Sequence, residues 1–125
     1  MQKNRIFITN TMRSGSSLVI NALSVHSKII ILSDSLHFFR FIYKRYEPLN
    51  DKNVYRMLLH QKTRLHYRHG IEFDAEHIYL KIKERGYTYP VIYDELLEYF
   101  CGKTGKEICG DAPAMSWREI PVFLK

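Results

Sequence analysis

The chain opens on an apolar run and then changes period. Ile6, Phe7 and Ile8 are consecutive, so residues 5–9 (RIFIT) predict a short strand covered on both faces, as in a parallel sheet. From Ser16 onward Leu18, Val19, Ala22 and Leu23 share one face at helical spacing while Ser17, Asn21 and Ser24 point elsewhere, which predicts an amphipathic helix. Residues 28–32 (KIIIL) form a second β-rich run. Strand, loop, helix and strand in that order match a right-handed parallel crossover, and the first 32 residues therefore predict an α/β fold.

Farther along, the period is helical. Residues 36–46 and 54–67 carry apolar and aromatic side chains at helical spacing, separated by a break at residues 47–51 (EPLND), and Met57 with Leu58 reads as core. Residues 75–85 end at Gly86 and residues 90–100 end at Gly102, both good C-terminal signals, while Pro90 suits a first turn. Residues 107–109 read as a short third strand leading into Gly110, Asp111, Ala112 and Pro113. Ser116 then caps a last helical segment that Pro121 interrupts or restarts. Tyr79, Tyr87, Tyr89, Tyr93, Tyr99 and Trp117 read as packing residues. Two clear strands and one weaker one make a short sheet for an α/β core, so either further strands escape the pattern or part of the domain is missing.

Composition narrows the class only a little. A chain of 125 residues, 46% of them hydrophobic, supports one core but hardly two, so residues 1–125 predict a single domain. The net charge of +6 attracts anions, whether nucleotides, sulfated or phosphorylated substrates, nucleic acid or anionic membranes. Cys101 and Cys109 lack CxxC spacing and a nearby His pair, so they read as reduced thiols and no metal site is expected. The start, MQKNRIFITN, has no continuous apolar region of the signal-peptide kind, and no stretch approaches the roughly 20 apolar residues of a membrane span. A cytoplasmic protein without a membrane span is the expectation.

The chemistry concentrates where the first strand gives way to the first helix. Asn10, Thr11, Met12, Arg13, Ser14, Gly15, Ser16 and Ser17 join the two. Gly15 lets the backbone approach a phosphate, the first helical amides are unpaired donors, and the helix dipole adds partial positive charge there. Ser14, Ser16 and Ser17 add hydroxyl donors and Arg13 adds a cation. The P-loop pattern GxxxxGK[ST] would be met by Asn10, Gly15 and Ser17, but its lysine position is Ser16. Without that lysine a 5′-phosphate or phosphosulfate fits better than a triphosphate. A plain polar strand-to-helix turn with a serine cap is the simpler alternative.

The segment MRSGSSLVINAL resembles the 5′-phosphosulfate-binding motif, commonly GxPRSGTTLL, of the sulfotransferase superfamily that uses 3′-phosphoadenosine 5′-phosphosulfate (PAPS). Arg13, Ser14, Gly15, Ser16, Ser17 and Leu18 match it position by position, whereas Asn10 stands where glycine is usual and Met12 where proline is frequent. Asn tolerates left-handed backbone angles better than most residues, so the first departure keeps the turn. Asp34, Ser35, Leu36, His37, Phe38 and Phe39 are similar to a KExHFF-like segment of some glycan sulfotransferases, with Ser35 at the position of the catalytic glutamate. Asp34 and His37 are then the two candidates for the base, with helix capping and aromatic packing as their respective structural readings.

Near the end, EICGDAPAMSW resembles the superfamily's GDKTP segment through Gly110, Asp111 and Pro113, with Ala112 in place of the lysine. An RDPR-like turn for the 3′-phosphate does not occur before Lys125. The resemblance implies a P-loop-like three-layer α/β fold with a short parallel sheet, the N-terminal part of a sulfotransferase domain. It implies PAPS as donor without a metal, and a small-molecule or glycan acceptor bearing a hydroxyl or amine. A kinase-like nucleotide-binding module and a noncatalytic basic RNA- or glycan-binding domain are the alternatives. The second draws on residues 61–70 (QKTRLHYRHG), where Lys62, Arg64 and Arg68 alternate with His66, Tyr67 and His69, although a solvated basic helix face explains the same pattern and no RNA-binding signature accompanies it.

Overall fold

A computed structural model describes residues 5–8, 20, 22–23, 25–32 and 36–111. The chain divides into two compact units, one made of Met1–Leu36 with Leu97–Lys125 and the other of His37–Leu96.

The first unit is built on a three-stranded parallel sheet of β1 (Arg5–Phe7), β2 (Ile29–Leu32) and β3 (Ile108–Asp111), in the order β1-β3-β2. The strand with the weakest sequence signal is the central one. It includes Gly110 and Asp111, which the sequence pattern left in the following loop, because pairing on both sides fixes their backbone. Arg5 faces Cys109, and Phe7 and Leu32 both face Asp111. The ladder continues past the strands, with Ile8 N–H donating to the Asp111 carbonyl at 3.0 Å and Ile108 N–H to the Lys28 carbonyl at 2.9 Å. Ile20, Ala22 and Leu23 are helical as predicted, but the face differs from the predicted one: Ile20 is buried, Leu23 half-buried and Ala22 exposed.

In the same unit, the last turns of a long helix lie beside the sheet. Arg5 Nη2 donates to Glu98 Oε2 at 2.9 Å, and the Arg5 side chain is only 9% exposed, so this pair neutralises a charge that β1 would otherwise bury. Cys109 Sγ donates to the Leu97 carbonyl at 3.4 Å.

The second unit is helical. α1 (Phe38–Phe41) is a single turn, α2 spans Asp51–His69, α3 spans Ala75–Arg85, and α4 spans Tyr89–Thr104 and passes into the first unit after Leu96. α2 and α3 pack against each other. Val54, Met57, Leu58, Gln61 and Leu65 form the buried stripe of α2, at the three- and four-residue spacing of one helical face. Asn50 caps its start by accepting from Asn53 N–H at 2.9 Å, and Gly70 at φ 64 closes its end while Ile71 N–H bonds back to Leu65. For α3, Asp74 accepts from His77 N–H at 3.1 Å and Gly86 donates to Ile82 at 2.8 Å, so both ends fall where the sequence predicts.

Two predicted helices are corrected. Residues 36–46 form one helical turn and then a series of turns, with His37 and Lys44 in left-handed backbone (φ 46 and 59). Aromatic packing overrides the helical period there. Phe38 stacks on Tyr93 with centroids 4.1 Å apart, Tyr43 meets Tyr89 edge-on at 4.8 Å, and Lys44 N–H donates to the Tyr89 hydroxyl. Gly102, in turn, does not end the last helix. The buried face of α4 runs on through Phe100 and Cys101, the helix reaches Thr104, and Gly105 at φ 71 is the residue that leaves it. Thr104 Oγ1 secures this end by donating to the Cys101 carbonyl at 2.8 Å.

A tyrosine pair marks the start of α2. The hydroxyls of Tyr87 and Tyr79 both donate to Asp51 Oδ1, the latter at 3.1 Å. The bond from Tyr87, then that from Tyr79, holds the Asp51 carboxyl below its usual range. Its contribution to stability is therefore complete above the unfolded-chain value of about 3.9 and fades as pH falls through the lowered native value. From about pH 5 to about pH 2, Asp51→Asn should lose less melting temperature than the natural chain. Parallel loss in both proteins, followed by circular dichroism, would show that these phenols do not shape the acid limb.

Candidate active site

All three strands run the same way, so Phe7, Asp111 and Leu32 end at one carboxyl edge of the sheet. Ligands of open parallel sheets bind outside such an edge, because the loops that follow the strands can be varied without disturbing the core. Along the chain, β1 precedes the segment with Arg13, Ser14, Gly15, Ser16 and Ser17, and β2 precedes the segment with Asp34. Arg13–Ser17 and Asp34 lie outside the described residues, as do Ala112, Pro113, Ser116, Trp117 and Pro121.

Gly110 and Asp111 bring a definite geometry to this edge. Asp111 is 3% exposed at the end of the central strand. Gly110 sits between both neighbours, where an added Cβ would run into the Ile6 carbonyl oxygen and approach Ile31 Cδ1 to 2.8 Å. The glycine of the Gly-Asp pair is thus explained by strand packing alone. The two lysines near it do different things: Lys106 Nζ donates to the carbonyls of His26 at 3.3 Å and Ile29 at 3.1 Å, at the amino end of β2, and Lys103 lies 4.6 Å from the Tyr99 ring. The Ile29 contact lies at the end of the sheet opposite Asp111.

His37 belongs to the second unit, immediately before α1. It is half-buried, its carbonyl accepts from Arg40 and Phe41 N–H at 3.1 and 3.0 Å, and its ring meets Phe41 edge-on at 5.9 Å. The backbone at His37 starts the turn while the imidazole packs on an aromatic ring, a position that a base or a packing residue both occupy.

Both cysteines are buried free thiols. Burial, and then the neighbouring Cys101, pushes the Cys109 thiol well up, so it stays protonated and is a poor nucleophile. Among the described residues no group of three or more His, Cys, Asp or Glu side chains is placed to hold a metal. No helix among them is long and apolar enough to cross a membrane.

The basic stretch 61–70 forms the end of α2 and its glycine cap. Lys62, His66, Arg68 and His69 are exposed, Tyr67 is 83% exposed, and Arg64 is half-buried. Arg40, which the sequence pattern did not single out, joins Arg64 at the ring of Phe41. Arg40 and Phe41 belong to α1, so the placement of that single turn against α2 brings them together.

These features define a mixed α/β protein with a short three-stranded parallel sheet and helices, carrying a buried carboxylate at the carboxyl edge of the sheet. No known protein family, curated protein or solved structure matches the chain.

Proposed function

We propose that this chain is sulfotransferase-like: it binds PAPS through the loop Arg13–Ser17 and transfers the sulfuryl group to a hydroxyl or amine of an acceptor. The parallel sheet is the observation that carries this reading. Along the chain the Gly/Ser/Arg segment follows β1, whose carboxyl end is the edge from which backbone amides and a following helix hold a phosphate in P-loop-like folds. In that role Gly15 admits the phosphate, Arg13 supplies charge, and Ser14, Ser16 and Ser17 donate hydroxyl hydrogen bonds. Asp34 or His37 takes the acceptor proton as the nucleophile attacks sulfur and the bond to the bisphosphate breaks.

Calorimetry with adenosine 3′,5′-bisphosphate and with ATP tests the reading. The bisphosphate should bind more tightly, because Ser16 replaces the lysine that a triphosphate needs. Arg13→Ala should weaken bisphosphate binding by about 1–3 kcal/mol through loss of a charge-assisted contact. Tighter binding of ATP, or an unchanged affinity in the variant, would sink the proposal. Unaltered transfer in Asp34→Asn or in His37→Ala removes that residue from the mechanism.

A further inference from the structure

Cys101 lies in the last turn of α4 and Cys109 on the central strand β3, both within the first unit. Between them the chain leaves the helix at Thr104, turns at Gly105 with φ 71 and enters β3 at Ile108, which returns the second thiol to the first. Cys109 Sγ donates to the Leu97 carbonyl at 3.4 Å. In a helix that carbonyl also receives the N–H four residues on, which is that of Cys101. The strand thiol is therefore seated against the turn that carries Cys101, and the two thiols are hydrogen-bonding neighbours. Cys101 is 4% exposed, Cys109 is fully buried, and neither is in a disulfide.

A single buried thiol behaves as a small apolar side chain. Two in contact can be joined, because their sulfurs need only close from hydrogen-bonding range to about 2.05 Å. Joining them removes two weak donors, from Cys101 Sγ to the Lys106 carbonyl at 3.0 Å and from Cys109 Sγ to Leu97, whose carbonyl keeps its helical N–H. Neither loss strands a charge.

We propose that Cys101 and Cys109 form a redox modification site, converted reversibly to a disulfide by exchange with a small disulfide of the glutathione class. Cys101 is the point of entry. It precedes the exposed Gly102 in a last turn that opens from the helix end, whereas Cys109 is paired on both sides in the sheet and held protonated by its burial. When that turn opens, the Cys101 sulfur attacks one sulfur of glutathione disulfide, forming a mixed disulfide and releasing one glutathione. Cys109 then attacks the Cys101 sulfur and releases the second. The two protein thiols give up two electrons to the glutathione disulfide, and their two protons leave on the two glutathiones. The bond holds the end of α4 against β3 two residues before Asp111. It uses no residue of the loop Arg13–Ser17 and does not depend on the donor reading.

The test equilibrates the full chain in buffers of reduced and oxidised glutathione, with and without urea, then blocks free thiols by alkylation and weighs the products. In the folded chain the form lighter by two hydrogens, with Cys101 and Cys109 in one cross-linked peptide, should be favoured at least tenfold over its level in urea, where only chain closure brings the thiols together. The oxidised chain should also melt several degrees above the reduced one. In Cys109→Ser, Cys101 should capture glutathione several-fold faster than Cys109 does in Cys101→Ser. A disulfide no more favoured in the folded chain than in urea, or an oxidised chain that melts lower, overturns the proposal without recourse to any variant. Faster capture at Cys109 overturns the assigned order.

Discussion

Gly110→Ala should destabilise the first unit by about 3 kcal/mol or more, measured as the shift in the urea midpoint. The central strand has partners on both sides, and the methyl group would be driven into the Ile6 carbonyl oxygen and against Ile31 Cδ1. A side-chain tip can swing aside, but Ile6 belongs to β1 and its backbone is held by the ladder at Gly110 itself. Relief therefore requires β1 and β3 to separate, with loss of backbone hydrogen bonds that nothing replaces. Gly102→Ala is the contrasting case. Gly102 is exposed within α4, with open space where a Cβ would go, and alanine there should stabilise by about 0.5–1 kcal/mol through backbone entropy and helix propensity. Similar effects of the two substitutions would mean that the strand spacing is not the constraint.

Phe38→Ala should cost about 4 kcal/mol in the second unit. Phe38 is fully buried, stacked on Tyr93 at 4.1 Å with the planes 5° apart, and flanked edge-on by Phe39 and Tyr89 at 5.2 and 6.4 Å. Removing the ring leaves a cavity among rigid aromatic neighbours that cannot collapse into it, and forfeits the ring pairing as well. Phe38→Leu keeps most of the volume and should lose about 1–2 kcal/mol. Chemical denaturation distinguishes the two, and an alanine variant no less stable than the leucine variant would show that the aromatic cluster is not what holds the turn after α1.

Where a structural signal is local, the sequence carried it. α3 matches its predicted limits because Asp74 and Gly86 act within one turn of its ends. α2 was recognised by its period but is longer at both ends. Its cap is Asn50, inside a stretch that reads as a break, and the helix continues through the basic residues to Gly70. The phosphate-loop reading rests on residue types alone, a glycine for close approach, an arginine for charge and no lysine at the P-loop position, and that segment lies outside the described residues.

Failures occurred where distant partners outweighed local preference. Residues 36–46 have a helical period, yet contacts from Phe38 and Tyr43 to Tyr89 and Tyr93, some 50 residues later, bend them into turns. Gly102 ought to end a helix by local rules, but the buried face continuing through Phe100 and Cys101 carries the helix past it.

Local pattern was enough for the alternation of strand and helix at the start and for the limits of α3. Each depends on spacing along a few residues or on side-chain chemistry. Only the tertiary structure decided that residues 108–111 would form the middle strand, that Gly110 would be required there, and that Arg40 would join Arg64 at Phe41. Strand order follows from which backbone edges satisfy one another across long loops, and a charge cluster follows from where packing turns the chain, so neither is encoded in any local period.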